Sequence, residues 1–440
     1  MMKRAAFLVL WIVIRFATPA VAQTDSLAKL DWFSNARLGI FIHWGIYAVD
    51  GVGESWSFHN KHIPHDVYMQ QIERFNAENY KPEEWVRVIK SSGARYAVIT
   101  SKHHDGVALW NTKANALSIP AASPAKRDVL TPFVTELRKA GLKTGLYFSL
   151  IDWTHPDYPG FLRDSSRYKV ADDTLRWNRY MQFCNRQIDE LLVQYNPDLW
   201  WFDGDWEHSA EEWNAPGIRH RILARNPSAI INARLQGYGD YATPEQHTPI
   251  IPPESRAWEL CMTMNDSWGY QGSDTNYKTP FEIISIFADV ISAGGNLLLD
   301  IGPKADGTIP EEQVHILKEL GRWTSKHSEA IFDTRRGLPY GHFYGPTTLS
   351  ADSTVLYLFL SQGASDKLVI KGLRNKIRKI SVLGTPQTLG HKIVGKISWS
   401  SVPGLVYIDV PENVHDSYIT VIRVELDGPV SLYRGKGGFH

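Results

Sequence analysis

From Leu38 onward, short apolar runs alternate with stretches whose apolar residues recur every three or four positions. The first texture predicts buried strands and the second amphipathic helices. Strands are predicted over 38–45, 94–102, 143–150, 197–203, 228–234, 257–263 and 296–301. Helices are predicted over 82–92, 129–140, 174–195, 211–226, 281–292 and 310–327, with Pro82 opening one and Gly141 closing another. Strands that are apolar throughout are covered on both faces and run parallel. Seven of them, or eight with one weak member, predict an α/β fold of the (β/α)8-like, TIM-type barrel class. A doubly wound sheet is disfavoured because no Gly-rich dinucleotide loop follows the first strand.

Past Gly337 the pattern changes to short alternating runs over 354–360, 367–370, 377–382, 393–398, 406–410 and 418–424, separated by turn residues. These predict a C-terminal antiparallel β-sandwich. Trp399 is its one tryptophan, so nothing there demands a sugar-binding role. At the other end, Lys3 and Arg4 precede an apolar run over 5–14, and Ala20-Val21-Ala22 offers a small-residue cleavage site. The expected organisation is a signal peptide over 1–22, a barrel over 23–340 and a sandwich over 341–440. Cleavage near Ala22/Gln23 predicts an exported protein, periplasmic or extracellular, and the absence of a cysteine after that site argues against a lipid anchor.

A formal net charge of +0 gives no reason to expect nucleic acid as a partner. Cys184 and Cys261 lie far apart without metal-ligand spacing and are expected as buried free thiols, with a disulfide as the alternative. Sixteen Trp, nineteen Tyr and seventeen Phe make a high aromatic load, which leans toward carbohydrate.

The candidate chemistry sits at the strand ends, where a parallel barrel gathers its functional groups. The run 197–206 is the most telling. Alternation puts Leu199, Trp201, Asp203 and Asp205 on one face and Trp200, Phe202 and Gly204 on the other. Asp203 therefore ends a buried strand beside an indole wall, a costly place for an acid. It reads as a carboxylate nucleophile or as the cap of a following helix. The other strands deliver His43 with Glu54, Ser55 and Trp56 beyond it, then His103 and His104, Tyr147, Arg234, Glu259 with Trp268 beyond, and Asp300. His103 and His104 as strand neighbours point to opposite faces and lack the company of a zinc centre, so no metal and no cofactor is expected. No Gly-x-Ser-x-Gly elbow supports a serine hydrolase. Carboxylates, histidines, an arginine and indoles together suit glycoside hydrolysis.

Phe41-Ile42-His43-Trp44-Gly45, Lys102-His103-His104-Asp105-Gly106, Trp201-Phe202-Asp203-Gly204, Trp268-Gly269-Tyr270 and the run 294–299 resemble the α-L-fucosidases of glycoside hydrolase family 29. The matches keep family order over 27–335. One departure is Asp300, where such enzymes often carry Asn. The resemblance implies a retaining mechanism on a fucosylated oligosaccharide or glycoconjugate, with Asp203 forming a covalent fucosyl-enzyme. A second carboxyl, about 5–5.5 Å away, would act as acid and then base. Glu245 fits this role by its distance after Asp203 and by following Arg234. Asp240 and Glu254 on the same loop, and Glu259, are the alternatives, while Asp205 competes with Asp203.

By the same resemblance His43, Glu54, His103, His104, Tyr147, Trp201 and Arg234 would line the fucose pocket. Trp56, Trp206 and Trp268 would pack against the sugar faces and the C6 methyl. Two other readings use the same scaffold: a catalytically inactive fucose-binding protein, and a retaining hydrolase of another α-glycoside.

Overall fold

The structure, a computed structural model, describes residues 28–361 and 367–435. The leader expected over 1–22 lies outside the described residues. Seven parallel strands make one curled sheet: β1 (Leu38–Ile42), β2 (Tyr96–Lys102), β3 (Lys143–Ser149), β4 (Leu199–Asp203), β5 (Ile230–Ile231), β6 (Glu259–Thr263) and β7 (Asn296–Ile301). Their spatial order is β5-β4-β3-β2-β1-β7-β6, so the two edges are consecutive in the chain.

Residues 240–246 lie in the gap between those edges. Asp240 N donates to Ile231 O and Ala233 N to Tyr241 O on the β5 side. Glu259 N donates to Ala242 O and Gln246 N to Cys261 O on the β6 side. This segment is the weak eighth member and completes the barrel. It forms only isolated bridges. Pro244 has no N–H to donate, and Gln246 has a φ of 61°, which breaks the extended path.

Alternation along the strands sorts side chains into two cores. Leu199 and Trp201 join Phe41, Tyr147, Cys261 and Leu298 inside the barrel. Trp200 and Phe202 face outward and pack with the surrounding helices. Those helices are Pro82–Ser91, Leu130–Lys139, Thr174–Gln194, Ala215–Arg225, Pro280–Ser292 and Glu311–Lys326. The helix expected from Glu211 starts only at Ala215, because Asn214 has a left-handed φ of 49° and Pro216 suits the first turn. Both cysteines are buried and unpaired.

The C-terminal part is two antiparallel sheets. One runs Arg335–Arg336, Thr347–Leu349, Val355–Ser361, Ile419–Leu426, Ile377–Val382 in space, and the other Lys367–Ile370, Leu405–Asp409, His391–Val394. Leu356, Leu358, Ile370, Ile408 and Val424 form the core between them. The first two strands, two and three residues long, are too short for periodicity to reveal. The opposite face of the larger sheet presents Tyr357, Phe359, Ile419 and Val421 to the barrel's outer core. Trp323 of the last barrel helix donates its indole N–H to Ile419 O at 2.8 Å.

Next to that contact, Asp416 accepts from Lys326 at 2.7 Å and from Arg322 at 3.3 Å. Burial alone would raise the Asp416 carboxyl, but these two bonds win and hold it at about 2, below its ordinary 3.8. A depressed carboxyl stabilises the fold above its unfolded value and loses that contribution as pH falls through the folded one. Asp416→Ala is therefore expected to cost about 1–3 kcal/mol near neutral pH. In denaturant titrations the difference from wild type should shrink as pH drops from about 4 toward 2.

Candidate active site

The C-terminal mouth of the barrel opens into a cavity of about 480 Å³. Beneath the cavity lies Glu259, which is fully buried on β6. Glu259 accepts from Trp201 Nε1 at 3.1 Å and from the Tyr96 hydroxyl. Burial pushes its carboxyl up to about 7, with both bonds opposing. It fixes the Trp201 indole, and Trp201 in turn supports Arg234, whose guanidinium carbon lies 4.5 Å above the ring centroid.

Arg234 joins the two carboxylates of greatest interest. Its Nη1 donates to Asp203 Oδ1 at 2.9 Å and its Nη2 to Glu245 Oε2 at 2.5 Å. Burial would lower the guanidinium, but Asp203 and Glu245 overcome this and raise it. Asp203, at the end of β4, accepts a second bond from the Tyr147 hydroxyl at 2.9 Å. His104 Nε2 stands 3.6 Å from the same oxygen. A single planar fork thus contacts both Asp203 and Glu245.

The other candidate acids fall elsewhere. Asp240 is bound to Lys29 at 2.8 Å and Arg219 at 2.7 Å, outside the cavity. Glu254 is exposed and away from the lining, and Glu259 lies beneath it. Asp205 does line the cavity, yet its Oδ2 accepts from Gln236 N at 2.7 Å and its main-chain oxygen from Gln236 and Trp213. Those bonds tie the loop after β4 to the loop after β5.

On the opposite wall, His43 Nδ1 meets Asp300 Oδ1 at 2.7 Å. His103 Nδ1 meets Ser55 Oγ at 2.6 Å, and His104 Nδ1 meets Ser149 Oγ at 2.6 Å. Burial pushes all three imidazoles well below their ordinary range, so they are neutral near pH 7. Glu54 accepts from Gly269 N at 2.5 Å. Its burial raises it to about 7 against that bond.

His103 and His104 do not point to opposite faces as strand neighbours would. β2 ends at Lys102, and the chain turns so that their ring centroids lie 4.2 Å apart. For the same reason β1 ends at Ile42, and His43 lies in the loop beyond it. Trp56 begins a short helix, Trp56–His59. It faces Trp206, half exposed, with ring planes 15° apart and centroids at 6.3 Å. Trp268 completes the wall, 5.0 Å from the His43 ring.

Of the residues expected from sequence, all but His104 line the cavity, and His104 is held just behind it against Asp203. Phe41 and Ser149 were not expected there, whereas Ser55 and Asp300 were expected at the strand ends without a role. Phe41 lines the cavity directly, and alternation from His43 back along β1 could have found it. The two serines and Asp300 act through histidines, and only spatial proximity reveals those pairings. Among the described residues, no group of three or more His, Cys, Asp and Glu is arranged to hold a metal ion.

The family profile for α-L-fucosidase matches residues 15–329. The α-L-fucosidase of Dictyostelium discoideum is 27% identical over 444 residues, spanning 92% of this chain and 94% of its own. That of Branchiostoma floridae is 30% identical over 346 residues, spanning 72% and 75%. Among solved structures, α-L-fucosidase isoenzyme 1 from Paenibacillus thiaminolyticus aligns with a TM-score of 0.83 at 30% identity, over 92% of this chain and 100% of that one. A family 29 α-L-fucosidase from Bacteroides thetaiotaomicron was solved as a covalent intermediate trapped with 2-fluoro-fucosyl fluoride in a glutamate-to-glutamine mutant. It aligns at a TM-score of 0.80 and 25% identity, over 91% and 96%. With the family profile spanning most of the chain and the barrel and C-terminal β-domain superposing on family structures, the chain belongs to the α-L-fucosidases of glycoside hydrolase family 29.

Proposed function

We propose that this retaining fucosidase releases terminal α-L-fucose from glycans or glycoconjugates with Asp203 as nucleophile and Glu245 as acid and base. The observation that carries this reading is the Arg234 fork between the two carboxylates. In the first step Asp203 attacks the anomeric carbon, the glycosidic C–O bond breaks, and Glu245 gives its proton to the leaving oxygen. In the second, water attacks the same carbon, Glu245 takes its proton, and Asp203 leaves as a carboxylate.

One negative charge is present in each resting form: on Asp203 before the first step, and on Glu245 after it. Arg234 faces both and can follow that charge without moving far. An inactive fucose-binding protein would have no use for two carboxylates sharing one guanidinium, which favours catalysis. His43, Glu54, His103 and His104 supply neutral or weakly acidic groups for sugar hydroxyls. Trp56, Trp206 and Trp268 supply apolar faces for the ring and the C6 methyl.

We also propose that the chain is exported and cleaved near Ala22/Gln23, a reading supported by the basic, apolar and small-residue order of its first segment. No helix among the described residues is long and apolar enough to cross a membrane.

Asp203→Ala is expected to lower kcat on an aryl α-L-fucoside by about 10³-fold or more. Glu245→Ala is expected to lose about 10²–10⁴-fold on glycans with poor leaving groups and less on the aryl substrate. Azide then separates the roles. With Glu245→Ala it attacks the covalent intermediate and yields α-fucosyl azide. With Asp203→Ala it takes the nucleophile's place and yields the β-anomer. If Asp205→Ala gives the β-anomer instead, Asp203 is not the nucleophile. N-terminal sequencing of exported protein should begin at or next to Gln23, and an intact Met1 would refute processing.

A further inference from the structure

Asp300 is a buried carboxyl with no cation beside it. It lies on β7 opposite Phe41 of β1 and Thr263 of β6 and is 1% exposed. Among the described residues its single ion-pairing partner is His43, with Nδ1 at 2.7 Å from Oδ1. The other titratable groups that face it are Glu54, itself buried, and the Tyr47 phenol. His103 lies beyond the His43 ring, at a centroid distance of 6.1 Å. From the cavity side His43 also senses Asp203 and Arg234, whose charges act on it in opposite directions.

An ionised Asp300 would place a negative charge beside the buried Glu54 in a dry wall, offset only by a neutral imidazole and the His43 main chain. Burying an unpaired charge is far costlier than burying a hydrogen-bonded neutral acid. The proton therefore belongs on the carboxyl. A neutral imidazole carries one N–H, so the nitrogen that accepts fixes which nitrogen donates.

We propose that Asp300 is a neutral acid that donates its O–H to His43 Nδ1 and so sets His43 Nε2–H as a hydrogen-bond donor to a sugar hydroxyl in the pocket. Asp300 is a positioning residue: it acts on substrate only through His43. Burial and Glu54 both hold the Asp300 proton on, against the His43 main chain, and burial keeps His43 neutral. The opposite arrangement, an ionised Asp300 accepting from Nδ1–H, would leave Nε2 as a bare acceptor, and a hydroxyl would have to bind the other way round. The assignment of the oxygen to fucose rests on the function proposed above, whereas the tautomer does not.

The test reads the tautomer without substrate, by long-range ¹H–¹⁵N spectra of the full chain labelled on histidine, with His43 assigned from a His43→Gln spectrum. Wild type at pH 7 is expected to show the neutral Nε2–H form. Asp300→Asn should keep that form, because its amide N–H donates to Nδ1 as the acid did. Asp300→Leu can neither donate nor accept and should lose the preference. Its KM for an aryl α-L-fucoside should exceed that of Asp300→Asn by about tenfold, the worth of one hydrogen bond, with kcat changed less. An Nδ1–H tautomer or an imidazolium in wild type, or a switch to Nδ1–H in Asp300→Asn, overturns the proposal. If Asp300→Leu fails to fold, the first two spectra decide. A protein that shows the expected tautomer but releases no fucose would refute the substrate reading alone.

Discussion

Arg234 can bond Asp203 and Glu245 at once only if three separate segments are in register: β4, the end of β5, and the irregular stretch 240–246. The support for this runs downward through the molecule. Arg234 rests on Trp201, Trp201 donates to Glu259, and Glu259 accepts from Tyr96 on β2. A displacement anywhere in that column would change the distance between the two carboxylates, and with it the geometry of both chemical steps. The barrel interior is close-packed rather than hollow, which lets the column transmit position instead of absorbing it.

The site buries its carboxyl groups in two different ways. Asp203 has a guanidinium and a phenol aimed at it, so its charge is compensated in place. Glu54, Glu259 and Asp300 have neutral hydrogen-bonding partners, and burial raises all three. The distinction follows from what each group has to do. As the proposed nucleophile Asp203 needs its charge, and low dielectric makes a compensated charge available without reorganisation. An acid that orients a ring, as Asp300 does under the tautomer proposed above, can work as a neutral hydrogen-bonding group, for which the same low dielectric is no penalty. Neutral histidines between the two sets keep the wall polar without adding charge.

The irregular closure of the barrel has a function of its own. A regular eighth strand would pair its full backbone and bury its side chains in alternation. Pro244 and the turned backbone at Gln246 instead leave Glu245 at the mouth, partly exposed, with Arg234 as its anchor. In the proposed role of acid and base, Glu245 would exchange its proton with a leaving group and then with water, and it gains from that access. The neighbouring alternatives show the contrast, since Asp240 is locked by two cations and Glu259 is sealed below.

Much of this was legible in one dimension. Apolar runs alternating with helical periods determined a parallel sheet covered by helices, because strands apolar throughout are buried on both faces, and the missing Gly-rich loop favoured the barrel over a doubly wound sheet. Alternation alone put Leu199, Trp201 and Asp203 on the inner face, and the motifs around His43, His103, Asp203 and Trp268 marked the strands that feed the site. Periodicity failed where the chain leaves the strand: His103 and His104 turned to face one another, and β5 shrank to two residues because its pairing passes to an irregular segment. Which of four acids faces Asp203, and which serines and acids orient the histidines, only the tertiary structure decided. Sequence spacing measures distance along the chain, whereas those choices depend on closure of the ring, which brings Arg234 and Glu245 to Asp203 from residues more than thirty positions away.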